Sequence, residues 1–201
     1  MSLFGEWSEL GRHAEQTKAA IMDAFLVAIE EKKVIDKVYV RDVANIGHFS
    51  RSTFYTYYDG IDDLTNALAD KFGNEICDVI RAGLQEVEET GNTKAPYLRM
   101  LEYLIAPGNL SLTKTLLLDA HNQAVTEAIA EPIRELLYQE YRKNHPDVSE
   151  ATHHRTSVFW VYGMYGLIKD WLRKGCDRDI EHIAESMAVS VHMCGDWKSR
   201  D

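Results

Sequence analysis

Apolar residues in this chain recur at helical spacing almost throughout, and no segment alternates apolar with polar residues as a half-buried strand would. Ile21, Ala24, Phe25, Ala28 and Ile29 stand at i, i+3, i+4, i+7 and i+8, one face of a first helix of about four turns. Leu64, Leu68, Phe72, Ile76, Ile80, Leu84 and Val87 carry a stripe along a fourth helix of roughly 40 Å, at 1.5 Å per residue. Turn signals at Thr90-Gly91-Asn92, Ala106-Pro107-Gly108-Asn109 and Asn144-His145-Pro146 divide the remainder. Helices are expected near 95–105, 110–120, 122–144, 148–174 and 178–195. Pro132 either kinks the seventh helix or opens a new one. Asp59 and Asp62 suit the start of the fourth helix, and Asp147-x-x-Glu150 reads as a capping box for the eighth. Arg173-Lys174-Gly175 closes that helix, with cations at its negative end and Gly at a left-handed position. The fold class is therefore all-α.

Between the first and fourth stripes lie two short helices joined by a tight turn. Arg41 to Ile46 is the first, Gly47-His48-Phe49 the turn, and Ser50 the cap of a helix running to about Tyr57. That is the pattern of a helix-turn-helix. Its second helix opens with residues suited to a major groove. Arg51 forks onto a guanine edge or a phosphate; Ser50, Ser52, Thr53 and Thr56 are short enough for close approach. Tyr55 and Tyr57 offer hydroxyls to phosphate oxygens, while Phe54 and Tyr58 take the alternate positions and face inward with Phe49. The same spacing also suits a plain structural helix after a turn.

Charge argues the other way. Residues 1–60 hold seven Lys and Arg against nine Asp and Glu, so the head carries −2 of the chain's −10. Only Lys37 to Gly60 is net positive, a weak footprint for nucleic acid. Three widely spaced cysteines without a C-x-x-C pair exclude a disulfide framework or zinc ribbon and fit a reducing compartment. The longest apolar run, Val158 to Ile168, is too short for a membrane span, and no secretory leader opens the chain, so a cytoplasmic location is expected. No Gly-rich phosphate loop, nucleophile elbow or His–carboxylate–His spacing is present, so no enzyme, cofactor or catalytic residue is expected. His153 and His154 are adjacent, point to different helix faces and make poor metal ligands. Glu86, Glu88 and Glu89 read as a solvated helix end.

Val40 to Tyr58 (VRDVANIGHFSRSTFYTYY), followed by Asp62-Asp63-Leu64, resembles the DNA-binding head of TetR-type transcription regulators over about residues 15–68. The resemblance implies an all-helical homodimer that binds double-stranded operator DNA and an unidentified small-molecule effector. It implies a three-helix DNA-binding domain over 12–60 and an effector-binding and dimerisation domain of about six helices over 61–201. Thr17 and Arg41 join Ser50, Arg51, Ser52, Thr53, Tyr55, Thr56 and Tyr57 as candidate DNA contacts. Tyr162 to Gly175 (YGMYGLIKDWLRKG) also resembles a Gram-positive subgroup in which dihydroxyacetone-kinase regulators occur. Two positions depart from the family pattern. His48 stands where Gly is usual, and His tolerates a left-handed backbone better than most residues. Ile61 stands where a phosphate-reaching Lys is usual.

In the body, the resemblance places an inducer pocket among the middle helices and the dimer interface on the last two. Tyr103, Leu117, His121, Trp160 and Met164 are the candidate pocket residues, although His121 also fits a satisfied core histidine. Phe159, Trp160, Tyr162, Tyr165 and Trp171 cover almost every direction of the eighth helix, which must then be buried on more than one side, or else line a ligand pocket. Ile180, Ile183, Ala184, Met187, Ala188 and Val191 form a stripe on the ninth helix. With Tyr162, Tyr165 and Gly166, residues Ile180, Ile183, Ala184, Met187 and Val191 are the candidate dimer contacts. The alternative is that the ninth helix completes the core of its own chain. The leading functional reading is a regulator, acting as a repressor, that an effector releases from its operator. The second is a co-regulator of the same fold that acts through protein contacts with little DNA affinity of its own.

Overall fold

The computed structural model describes the backbone of residues 3–119 and 123–195 and, within them, the side chains of residues 12–118 and 123–190. Among the described residues there is no strand. The helices are α1 (Leu3–Lys32), α2 (Val40–Ile46), α3 (Arg51–Tyr55), α4 (Ile61–Thr90), α5 (Ala95–Ile105), α6 (Leu110–Lys114), α7 (Gln123–Asn144), α8 (Glu150–Arg173) and α9 (Ile180–Gly195). A 3-10 turn, Ile35–Lys37, precedes α2, and a π-helical turn, Thr115–Asp119, extends α6. The chain divides into two compact units, Met1–Leu68 and Ala69–Asp201, so α4 contributes its first turns to one and the rest to the other.

The head unit is built around the predicted α1 stripe. Ile21, Phe25 and Ala28 are fully buried and meet Val43 of α2, Phe54 of α3 and Leu64 of α4 in one core. α1 begins at Leu3, well before that stripe, because residues ahead of it, such as Ala14, Glu15, Gln16 and Lys18, are good helix formers without an apolar face. The turn after α2 is a Schellman closure. Phe49 N–H donates to the Ala44 carbonyl (3.1 Å), with His48 at φ 54° in the left-handed position. Gly47 is required one residue earlier: a Cβ there would lie 2.1 Å from the Phe49 ring. The first turn of α4 differs from expectation. Asp63, not Asp62, accepts the backbone N–H of Asp59 (3.0 Å), because Gly60 takes the cap position.

In the second unit α7 packs along α8, and α5 packs along α9. α4 approaches two partners at glycine. A Cβ on Gly73 would lie 2.7 Å from the Ile129 carbonyl oxygen, and one on Gly83 would lie 2.4 Å from the Pro96 Cα. Pro132 lies inside α7, which continues through it as one helix. The expected Asp147–Glu150 capping box does not form. Ser149 caps α8 instead, its hydroxyl accepting the Thr152 N–H (3.3 Å). At the other end Gly175 has φ 72° and Cys176 N–H reaches the Trp171 carbonyl (3.0 Å), the closure expected from Arg173-Lys174-Gly175.

The ninth-helix stripe belongs to the chain's own core. Ile183, Ala184, Met187 and Ala188 are buried without any second chain, on the helix that packs against α5, while Ile180 is half-buried. An amphipathic stripe declares that a helix face is covered, not what covers it. Ile183, Ala184 and Met187 are thus removed from the candidate dimer contacts. The side chain of Val191 lies outside the described residues.

Candidate functional site

The head presents a groove of about 550 Å³ lined by Tyr39, Val40, Arg41, Arg51, Tyr55 and Ile61. Three local devices build it. Ser50 starts α3, its Oγ accepting the Thr53 N–H (3.0 Å), and it also contacts the hydroxyls of Ser52 (2.7 Å) and Thr53 (2.8 Å). Phe54 is buried and rests against Tyr55 edge-on and Tyr58 tilted, so the helix is anchored by one face and Tyr55 stays 50% exposed on the other. At the opposite wall the Tyr39 N–H donates to Asp42 (3.0 Å), fixing the start of α2, and the Arg41 guanidinium sits 5.1 Å over the Tyr39 ring.

Of the sequence candidates, Arg41, Arg51 and Tyr55 meet at this groove. Ser50 and Ser52 are exposed beside it. Thr56 is exposed, but its hydroxyl is engaged with the Ser52 carbonyl (3.0 Å). Thr53 and Tyr57 are half-buried, and Thr17 bonds the His13 carbonyl (2.9 Å) on α1, away from the groove lining. Tyr39 was missed by sequence reasoning; an aromatic residue two positions before an Arg at a helix start was the available signal. Tyr58 takes the inward position, and burial raises its phenol pKa. Ile61 puts an apolar side chain into the groove wall.

The second unit encloses a cavity of about 40 Å³ between α4, α5, α7, α8 and the π-helical turn. Ile76, Met100, Leu104, Leu117, Ile129, Ala130, Ile133, Val161, Met164, Tyr165 and Ile168 line it. Leu117 and Met164 are where the sequence expected pocket residues. Tyr103 is not among the lining residues: its hydroxyl donates to Glu75 (2.6 Å), and burial with that carboxylate raises its pKa. Trp160 also faces elsewhere, edge-on to Tyr141 with its indole N–H buried and unpartnered. His121 lies outside the described residues. Tyr165, expected at a dimer contact, turns into the cavity, because α8 is covered on that side by α7. What α8 leaves open is Phe159, Tyr162, Gly163 and Gly166, at i, i+3, i+4 and i+7. Phe159 is 64% exposed and Tyr162 37% exposed, and a Cβ on either glycine would meet nothing.

No group of three or more His, Cys, Asp or Glu side chains capable of holding a metal occurs among the described residues, and no described helix is long and apolar enough to cross a membrane. His153 is buried, with Nε2 on the His145 carbonyl (2.9 Å), while His154 contacts Arg134 (3.3 Å).

A TetR-type family model, described as a transcriptional regulator C-terminal region, matches residues 91–192. No curated protein matches the chain. Among solved structures, the fatty acid degradation regulator FadR from Bacillus halodurans is 16% identical, with a TM-score of 0.56 over 87% of this chain and 94% of that one. FadR from Bacillus subtilis, in complex with stearoyl-CoA, is 15% identical, with a TM-score of 0.59 over 86% and 96%. NalD, the secondary repressor of the MexAB-OprM multidrug efflux pump in Pseudomonas aeruginosa, is 16% identical, with a TM-score of 0.57 over 90% and 96%. At these identities the likeness is one of fold.

Proposed function

Since the chain belongs to the TetR-type transcriptional regulators, we propose that it is a homodimeric repressor that reads operator DNA with α3 and is released by a small-molecule effector bound in its second unit. The observation that carries this reading is the head groove. Arg51 and Tyr55 project from a helix anchored by Phe54, facing Tyr39 and Arg41 across a gap open to solvent. Arg51 is the residue suited to a base edge, while Tyr55, Ser50, Ser52 and Arg41 suit phosphates that set register. The proposed division is a DNA-binding domain over 12–60 and an effector and dimerisation domain over 61–201. NalD being a repressor, and FadR carrying stearoyl-CoA, support repression and a small-molecule effector for a chain of this fold.

Two-fold operators require two heads in fixed relation. The exposed stripe Phe159, Tyr162, Gly163 and Gly166 on α8 is the proposed self-contact, joined by the exposed Val189 of α9. Its two glycines permit close helix approach and its two rings supply apolar area. The effector acts by binding the DNA-free state more tightly than the DNA-bound one. Ile76 ties the cavity to α4, the helix whose first turns belong to the head unit.

Ile61 and the net −2 head favour a second reading, a co-regulator with little DNA affinity of its own. Selection from random duplexes separates the two. The repressor reading expects a palindrome with half-sites about 34–36 Å apart. No enrichment above input, with the dimer intact, favours the co-regulator.

A further inference from the structure

The cavity of the second unit has an unusual chemistry for a site that would hold a signal molecule. Ten of its eleven lining residues are aliphatic or Met, and none carries a charge. Its one polar group is the Tyr165 hydroxyl, and that hydroxyl is poorly satisfied. It donates to the Leu117 carbonyl at 3.3 Å and lies 3.4 Å from Thr126 Oγ1. Both are well beyond the roughly 2.7–2.8 Å usual for hydroxyl–oxygen bonds. A donor held this loosely is available to a better acceptor.

Resting on the effector reading above, we propose that the cavity takes an uncharged, mainly apolar small molecule bearing one hydrogen-bond acceptor, addressed by Tyr165. An ionised ligand would leave water for a lining with no counter-charge, which costs far more than a neutral one. A ligand with no acceptor leaves Tyr165 on its two long contacts. At about 40 Å³ the void is smaller than the ligand, so side chains must yield. Met100 and Met164 are suited to this, being unbranched with three rotatable bonds. Leu117 sits on the π-helical turn, a form that occurs mostly as single turns near functional sites.

Three probes of one shape test the assignment on the full chain by calorimetry: acetophenone, ethylbenzene and benzoate. Acetophenone is expected to bind at least about tenfold more tightly than benzoate, given the cost of burying an unpaired carboxylate. Tyr165→Phe should remove the roughly fivefold preference for acetophenone over ethylbenzene that one neutral hydrogen bond supplies, leaving ethylbenzene unchanged. Ala130→Leu fills the void and should weaken both neutral probes, while Met164→Ala enlarges it and should tighten them. Benzoate binding as tightly as acetophenone overturns the proposal, as does binding indifferent to Tyr165→Phe or no binding by any probe. Operator affinity is read in parallel. Acetophenone that binds as expected yet leaves DNA affinity untouched sinks the effector reading and keeps the ligand class. DNA release by benzoate alone does the reverse.

Discussion

Phe159→Glu separates the two helix faces that sequence patterning alone confounds. In the single chain Phe159 is 64% exposed at the centre of the open α8 stripe, so the substitution leaves the core of its own chain untouched. An enclosed aromatic side chain buries roughly 150–250 Å², so the open part of this one amounts to about 130 Å² per copy. At about 25 cal/mol per Å² that is about 3 kcal/mol per copy, an upper bound because association carries its own entropic costs. The new carboxylates add desolvation and mutual repulsion near the two-fold axis. The expected result is a dimer dissociation constant raised at least about 100-fold. Sedimentation over a concentration series measures it, and urea unfolding of the monomeric variant checks that the chain stays folded. Met187→Ala is the counterpart. Met187 is 2% exposed inside its own chain, so its truncation should lower unfolding free energy by about 2–5 kcal/mol through cavity formation. An unchanged dissociation constant for Phe159→Glu refutes the α8 contact. A Met187→Ala variant that keeps its stability but falls apart into monomers would return the α9 stripe to the interface.

Arg51→Ala should cost about 1–3 kcal/mol of operator binding and relax preference at one base position, whereas Tyr55→Phe should weaken all sequences about equally; selection and titration at matched salt distinguish them. Ile61→Lys should raise affinity and steepen the slope of log K against log salt by about 0.9 for one added phosphate contact, and an unchanged slope would place residue 61 away from the backbone. His48→Gly relieves a left-handed backbone at φ 54° and should raise unfolding free energy by about 0.5–1 kcal/mol; a loss would show that the imidazole makes a contact worth more than the strain.

The head was legible because its signals are local. The Ser50 cap, the left-handed His48 and the inward Phe54 each follow from a few neighbouring residues, and each is found. So do α5 and α7, bounded by proline, glycine and asparagine turns. What was not legible depends on which surface meets which. Tyr165 reads as an interface ring but turns into the cavity, and Trp160 reads as a pocket ring but lies against Tyr141. On a helix with aromatics in every direction, the choice of face is made by α7, which the α8 sequence does not encode. Ser149 displaced the expected capping box because a short hydroxyl one residue before the helix reaches the Thr152 N–H directly.

The two glycine contacts of α4 set limits on how the second unit can deform. Gly73 seats against the Ile129 carbonyl and the Pro132 ring of α7, and ten residues on Gly83 seats against Pro96 of α5, about 15 Å along the axis. Both seats are made largely by backbone and proline, which have no rotamer to offer as slack. They act as two bearings on one shaft. From Ala69 onward α4 has lost the freedom to slide or to spin against α5 and α7, because either motion drives its backbone into theirs. What survives is movement of the three helices as a block, or a tilt that pivots at one bearing and opens the other. Met100, Leu104 and Ile129 sit on those same two neighbours, so a molecule that widens the cavity loads both bearings at once. Replacing either glycine with a larger residue would thus alter the stiffness of the unit before it altered the cavity's chemistry.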